Sequence, residues 1–387
     1  MALIVQKFGG NSLNTFEKRE LALSKITAAR DKGYDVVVVV SALGRKGEPY
    51  ATDTLIELLT NISTNPDPQK KDLLMSCGEI ISAAVLAQSL DEKGYKSEAM
   101  TCFQAGIQTD DHYNNSQIIN ISTDRIKYSL EKGNIVVIAG FQGYTDQLKI
   151  TTLGRGGSDI TALALGRKLA AELVEIYTDV PGIAITDPRL FPDAPILARI
   201  DFQSMYVLAC AGAKVIHPRA VKTAMDCKMS FRVLSTFTNK PGTIIGETGE
   251  DIGGLYGIAV TKNVSVLHTK YEGLANSMKN NIIDKLFYQK TPDGYALALQ
   301  GSFNLPNFND SSLLVSENCA LVTMVWSPQA GLNARIITEL LQNNSIYPQG
   351  FFALDNGGSW AIPAKYLQAA FDLIYNFFYK HQVLTAN

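Results

Sequence analysis

Residues 151–165 read TTLGRGGSDITALAL, and the character of the whole chain is concentrated in them. Thr151 and Thr152 close a strand-like run, Gly154, Gly156 and Gly157 make a loop, and Ser158 or Asp159 stands where it can cap a helix beginning at Ile160. Three glycines in four positions remove the Cβ atoms that would hold a ligand away from backbone N–H groups. The helix N-terminus beside them adds unpaired donors and a positive dipole end, both favourable to an anion. Arg155 supplies a planar fork for a carboxylate or phosphate, and Asp159 a carboxylate in the same basin. The loop alone fits a plain glycine-rich turn with a capping Asp equally well. Its spacing is neither the dinucleotide fingerprint nor the P-loop pattern.

Upstream, the same order of strand, glycines and helix opens the chain. Residues 2–8 are a short apolar run carrying Lys7, Gly9-Gly10-Asn11-Ser12 follows, and a helical pattern runs from Thr15 to Asp31. A lysine leading into paired glycines either reaches over a phosphate or is a solvated residue at a tight turn; a second loop of this kind at 154–159 favours the phosphate. Five consecutive valines, 36–40, are apolar on both faces and read as a buried parallel strand, with Ser41 at its carboxyl end, where open α/β sheets bind ligands. Thr52 is placed to cap a helix over 53–59. A helix over 72–90 is expected to be interrupted at Cys77-Gly78-Glu79. Glu79 stands among apolar residues: either it meets a cation, such as a substrate ammonium, or it lies on an exposed helical face. Further strands at 135–139 and 174–177 end in Gly140–Gly143 and Thr178-Asp179-Val180-Pro181-Gly182. Strands alternating with helices predict a parallel sheet with helices on both faces.

Composition narrows the class. The chain of 387 residues has room for two or three domains. With 35 basic and 37 acidic residues its net charge is −2, which offers no electrostatic case for nucleic acid or an anionic membrane. Five scattered cysteines without C-x-x-C spacing suggest reduced thiols in the cytoplasm. No signal peptide and no bilayer-spanning apolar run are expected. Near 246–254 the texture turns acidic and glycine-rich, like a linker. Beyond it, strand-like 264–268, Glu272-Gly273 and helical 274–286 are echoed by 320–326, 327–331 and 332–341. A strand at 358–364 and a helix at 366–378 follow, the latter with Leu367, Phe371, Ile374 and Phe378 on one face. The matched glycines, Gly273 and Gly331, predict a repeated small α/β module.

The motifs KFGGNS (7–12 with Lys7 leading), VVVVVSALG (36–44), ATDTLIEL (51–58), SCGE (76–79), QAG (104–106), AGFQG (139–143), TTLGRGGSD (151–159), YTDVPG (177–182), TDPR (186–189) and GAKVIHPRA (212–220) together resemble aspartate kinase. They stand in the family's order over about the first 245 residues; the remainder resembles, less closely, the paired ACT modules that follow the catalytic domain. The resemblance implies an amino-acid-kinase fold, a three-layer αβα sandwich around a largely parallel sheet, over 1–246. A linker at 247–254, a shortened first ACT-like module at 255–316 and a second at 317–387 would follow. It implies transfer of the γ-phosphoryl group of ATP, with Mg2+, to the side-chain carboxylate of L-aspartate, the first step of lysine, methionine and threonine synthesis. It also implies a cytoplasmic homo-oligomer, a dimer or larger, joined through the ACT-like modules.

Site residues follow from the same resemblance. Lys7 would neutralise the transferring phosphoryl group with Gly9 and Gly10 lining it, and Asp159 would orient Lys7. Arg155 would grip the substrate α-carboxylate and Glu79 its ammonium, while Ser41, Thr52 and Ser158 hydrogen-bond substrate or phosphate. Thr178, Asp179, Asp187, Arg189 and Lys214 would hold the nucleotide; no protein metal ligand is implied. The chain departs from the pattern at Asn11, at Ala184 and most of all in the C-terminal turns. Tyr271-Glu272-Gly273 and Gln329-Ala330-Gly331 replace the usual proline–glycine pair, so effector sites transfer least. Two rivals remain: another amino-acid or small-acid kinase of the same fold, and a non-catalytic amino-acid-sensing subunit. Retention of Lys7, Arg155 and Asp159 together weighs against the second.

Overall fold

The computed structural model describes residues 2–189, 191–247, 254–273, 275–276, 285–301, 313–327 and 332–385, with backbone alone at 285 and 379–385. The chain divides into two compact units. The first is Met1–Ile183, Ile196–Phe202 and Val215–Thr248; the second is Ala184–Pro195, Gln203–Lys214 and Gly249–Asn387.

In the first unit, strand β1 (Leu3–Phe8) leads to helix α1 (Phe16–Asp31), capped by the Thr15 side chain, and then to β2 (Asp35–Val40). Helices α2 (Thr52–Thr60) and α3 (Pro68–Glu92) follow, then β3 (Ser97–Met100), β4 (Ile107–Thr109), β5 (Ile118–Ile121), α4 (Asp124–Glu131), β6 (Ile135–Ala139), β7 (Gln142–Tyr144) and β8 (Ile150–Thr152). Helix α5 (Gly157–Lys168) and β9 (Leu173–Thr178) complete the central part, and β10 (Arg199–Asp201), β11 (Phe231–Ser235) and β12 (Thr243–Gly246) extend it. Eight strands form one sheet in the order β10-β12-β11-β9-β1-β2-β6-β3, parallel except where β11 meets β12. The five valines sit at its centre with no exposed surface. At roughly 1.5–3 kcal/mol per fully buried apolar side chain, they anchor that position. One face of the sheet, through Ile4, Phe8, Val38 and Val137, packs on Leu23 and Ile26 of α1 and Leu86 and Leu90 of α3. Strand alternation turns Val5 and Lys7 to the opposite face, which carries α5. A Cβ at Gly166 of α5 would lie 2.3 Å from Val174, so the helix rests directly on β9.

Three local expectations change. Helix α3 runs unbroken through Gly78, where a Cβ would lie 2.7 Å from Ala42 Cβ and 2.9 Å from the Tyr50 carbonyl; the glycine is there for contact and does not break the helix. Thr52 is the first residue of α2 and not its cap, which is Ala51 without a side-chain bond. At 25 residues α3 is also long and apolar enough to cross a membrane, but half of that stretch is buried inside the unit. A second, four-stranded sheet, β5-β4-β7-β8, was not anticipated; its β7–β8 pair delivers the chain to Gly154.

The second unit holds one antiparallel sheet. Its strands are β13 (Leu255–Thr269), β14 (Lys285–Thr291), β15 (Gly294–Gln300), β16 (Leu314–Trp326), β17 (Gly350–Leu354) and β18 (Gly357–Pro363). The order β14-β15-β13-β16-β18-β17 is a palindrome of two three-strand sets joined at β13–β16. Each set carries a two-residue hairpin, Pro292-Asp293 before Gly294 and Asp355-Asn356 before Gly357. The outermost strands meet: the Phe287 and Phe352 rings stack at 5.3 Å, and Ala353 N–H donates to Gln289 Oε1 at 2.8 Å. Helix α6 (Phe202–Cys210) lies on β13, where Leu208 fills the space beside Gly257. Helix α8 (Ala334–Asn343) is capped by Asn333, and α9 (Leu367–Thr385) buries Phe371, Ile374 and Phe378. The expected helix over 274–286 is overturned at its end, because 285–291 are strand; Gly331, Gln329 and residues 302–309 lie outside the described residues.

Candidate active site

Carboxyl ends of β1, β2, β6 and β9 put four loops at one end of the first unit's sheet. Lys7, one residue before the end of β1, points towards the start of α5. Its Nζ is 2.7 Å from Asp159 Oδ1, and both side chains are 12 % exposed. Asp159 is not the helix cap. Gly156, at φ 76, takes that place without a side-chain bond, and α5 begins at Gly157. Ser158 and Asp159 therefore sit in the first helical turn, both buried, with Asp159 where the dipole favours a negative charge. A buried pair of this kind is costly to break from one side, since the remaining charge is left uncompensated.

The paired glycines do different things. A Cβ on Gly9 would stand 3.8 Å from Lys7 Nζ, so its absence keeps the approach to the ammonium open. A Cβ on Gly10 would meet the Ala42 carbonyl at 2.2 Å, so this glycine lets the first loop press against the second. Ser41, half-buried, donates its N–H to the Phe8 carbonyl at 3.1 Å and closes that junction.

Glu79 is 2 % exposed, which removes the exposed-face alternative. Its Oε1 accepts the Ala42 N–H at 3.0 Å, while Oε2 has no hydrogen-bond partner among the described residues. Burial pushes the carboxyl up to about 8, with the Ala42 N–H and the Lys7 charge pulling the other way. The site thus holds a buried carboxyl, raised in pKa, with one oxygen unpartnered among the described residues.

The loop 154–157 is built by close approach. Gly154 and Gly156 have φ of 71 and 76. A Cβ on Gly154 would lie 2.8 Å from the Asn114 carbonyl, and one on Gly156 would lie 2.7 Å from His217 Cβ. Arg155 at the tip is exposed. Beneath it, Arg219 of helix α7 (Pro218–Cys227) donates to the carbonyls of Leu153 and Ser116. His217 is held below its ordinary value by burial and by the charges of Arg219 and Arg155. Asp72, fully buried on α3, accepts Asn114 N–H, Thr152 N–H and Thr152 Oγ1 at 2.7–3.1 Å. Burial raises its carboxyl against those bonds.

At the end of β9, Asp179 accepts Arg45 Nη2 at 2.8 Å and Asn11 Nδ2 at 3.3 Å, and Thr178 Oγ1 donates to its other oxygen at 3.2 Å. Lys18 reaches Asn11 and Asn14, and Asn14 reaches Glu48. Sequence reasoning did not single out Asp72, Arg45, His217 or Arg219. Only the last two had a signal, as members of the GAKVIHPRA run. Asp187, Arg189 and Lys214 belong to the second unit, where the Asp187 carboxylate grips the Arg189 guanidinium at 2.5–3.1 Å. That bond, with Lys214 adding to the field, holds Asp187 below the usual carboxylate range.

Comparison with known proteins places this geometry. The amino acid kinase family profile matches residues 2–235. Aspartokinase 1 of Bacillus subtilis is 45 % identical over 272 residues, 68 % of this chain and 67 % of that protein. Aspartokinase of Geobacillus stearothermophilus is 46 % identical over 247 residues, 64 % of this chain and 60 % of that one. These matches span only about 60–67 % of the relatives' length. For the fold, Escherichia coli aspartokinase III, solved with aspartate and ADP, superposes with a TM-score of 0.75 at 22 % identity, covering 95 % of this chain and 98 % of that one. Clostridium acetobutylicum aspartate kinase gives 0.76 at 20 % identity, covering 98 % of this chain and 100 % of that one. The chain belongs to the amino acid kinase family, among its aspartokinases.

Proposed function

We propose that this chain is an aspartate kinase that transfers the γ-phosphoryl group of ATP to the side-chain carboxylate of L-aspartate, giving 4-phospho-L-aspartate and ADP. The observation that carries the reading is the Lys7–Asp159 pair at 2.7 Å, at the meeting of two glycine loops and beside a buried acid with one unpartnered oxygen. Phosphoryl transfer asks little covalent chemistry of a protein; it asks for positioning and neutralised charge. A carboxylate oxygen of aspartate attacks the γ-phosphorus while the bond to the ADP oxygen breaks. The nucleophile is already ionised at neutral pH, so no general base is required.

Lys7 neutralises charge on the transferring group and Asp159 fixes its ammonium. Gly9 leaves room for a phosphate oxygen. The unpartnered Glu79 Oε2 receives the substrate ammonium, Arg155 the α-carboxylate, and Ser41, Thr52 and Ser158 supply hydrogen bonds. Gly10, Thr178, Asp179, Asp187, Arg189 and Lys214 are assigned to the nucleotide on the family resemblance. Mg2+ would come with the phosphates, which it binds through few protein ligands, and would neutralise part of their charge. Supply of lysine, threonine and methionine precursors, a cytoplasmic setting and a homo-oligomer joined through the C-terminal modules complete the proposal. The division at 246–255, with ACT-like modules over 255–316 and 317–387, is supported by the palindromic strand order. ADP release measured with and without L-aspartate tests the reading: release is expected to depend on aspartate, and release indifferent to it would overturn the assignment.

A further inference from the structure

We propose that Phe191, clasped by Phe371 and Tyr375 of α9, is a positioning residue for the nucleotide, holding the Asp187–Arg189 turn in its working shape. The inference rests on the proposed reading that Asp187 and Arg189 contact the nucleotide, and it adds what fixes them.

The described residues of 184–195 form neither helix nor strand beyond an isolated bridge, and the segment belongs to the second unit. At the neck of this loop Ile185 N–H donates to the Pro195 carbonyl at 3.0 Å, and Ile258 N–H of β13 donates to the Ile185 carbonyl at 2.7 Å. Two charged residues mark the tip: the Arg189 side chain is 72 % exposed and pairs with Asp187. The charged side chains of Asp187 and Arg189 bring no apolar packing to this turn. Phe191 supplies that packing. Its N–H donates to the Asp187 carbonyl at 3.1 Å, which closes the turn onto the aromatic residue. Its ring stacks on Tyr375 with centroids 4.0 Å apart and meets Phe371 at 5.3 Å. Phe371 is 1 % and Tyr375 6 % exposed, so Phe191 packs against buried rings of the unit's core. Fixing a charged turn before its ligand arrives removes an ordering cost from binding, so loosening the clasp should weaken nucleotide binding in particular.

The test compares Phe191→Ala, Phe191→Tyr, Tyr375→Leu and Arg189→Ala in the full chain, reading KM for ATP, KM for aspartate and kcat. Arg189→Ala is expected to raise KM for ATP. Phe191→Ala is expected to raise it by about 3- to 10-fold, the range that loss of an aromatic pair corresponds to. KM for aspartate stays within about twofold and serves as the control for folding; Phe191→Tyr, which keeps the ring, restores the wild-type value. Tyr375→Leu reproduces the Phe191→Ala effect, and the two together add little more. If Arg189→Ala raises KM for ATP while Phe191→Ala and Tyr375→Leu do not, the clasp is overturned and the nucleotide reading stands. If Arg189→Ala has no effect on KM for ATP, the nucleotide reading fails and the clasp with it. A parallel rise in both KM values means general loosening and also overturns the clasp.

Discussion

Lys7 and Glu79 are two ionisable groups in opposite circumstances, one paired with Asp159 and one with a buried oxygen that has no partner among the described residues. Lys7 faces Asp159, so the account gives it a role in the step where charge moves. Lys7→Ala should lower kcat by about 100- to 1,000-fold, the usual loss on removing one such stabilising group, with KM for aspartate little changed. A normal kcat with a raised KM would make Lys7 a binding residue instead. Glu79 must be ionised to receive an ammonium, and in the free protein its carboxyl is pushed up to about 8. For an acid raised above its unfolded value of 4.5, the folded state holds the proton between about 4.5 and 8, so this group lowers stability as pH rises through that window. Accordingly kcat/KM for aspartate should rise with pH to a plateau above about 8, and Glu79→Gln should flatten that rise while raising KM. A wild-type profile flat from pH 6 to 9 would contradict the assignment. Glu79 was legible in the sequence as a charge in an apolar setting. Asp72 was not, because an acid satisfied by backbone donors leaves no pattern that separates it from a solvated one.

At the scale of elements, glycines that were read as ligand room are in large part room for the protein's own loops. Gly10 and Gly156 each face another segment closer than a Cβ allows, and so does Gly78, which was read as a break in the helix. Single-sequence reading finds the glycine but not its neighbour, because the neighbour comes from a distant part of the chain. Gly156→Ala tests the distinction. It meets both a left-handed φ of 76 and His217, so it should cost about 1–2 kcal/mol from the backbone alone. Thermal unfolding should shift down by several degrees, and a variant as stable as the parent would show that the loop relaxes freely. The same elements show where pattern reading worked. Buried strands announced themselves through unbroken valines and isoleucines, and α1 through Thr15. The helix starts of α2 and α5 were set late by one and three residues, because Thr, Ser and Asp were taken as caps where backbone geometry alone makes the turn. The hairpins at Pro292-Asp293-Gly294 and Asp355-Asn356-Gly357 carried ordinary turn chemistry and were overlooked in favour of the glycines before the helices.

For the whole molecule, the second unit's palindromic strand order gives the internal repeat a physical form. Phe371 and Phe378, placed by the sequence on one face of the last helix, are buried within the unit, and Phe377 meets Phe378 edge-on at 5.4 Å. Regulation is the weaker inheritance. In the first repeat Glu272 and Gly273 are helical and exposed, directly after Tyr271. A ligand shifts an equilibrium only through differential affinity for its states, and the changed stretches Tyr271-Glu272-Gly273 and Gln329-Ala330-Gly331 are expected to give an amino-acid effector little of it. Lysine and threonine should therefore inhibit weakly or not at all, while sedimentation shows a dimer or larger species. Strong inhibition by either amino acid, or a monomer, would contradict this.

The central claim is that aspartate's side-chain carboxylate is the phosphoryl acceptor, and an acyl phosphate reports itself directly by its reaction with hydroxylamine. The purified chain, incubated with MgATP, hydroxylamine and a panel of L-aspartate, L-glutamate and N-acetyl-L-glutamate, should yield hydroxamate with aspartate far above the others, and Lys7→Ala should abolish most of it. Hydroxamate from glutamate or acetylglutamate with none from aspartate would contradict the account.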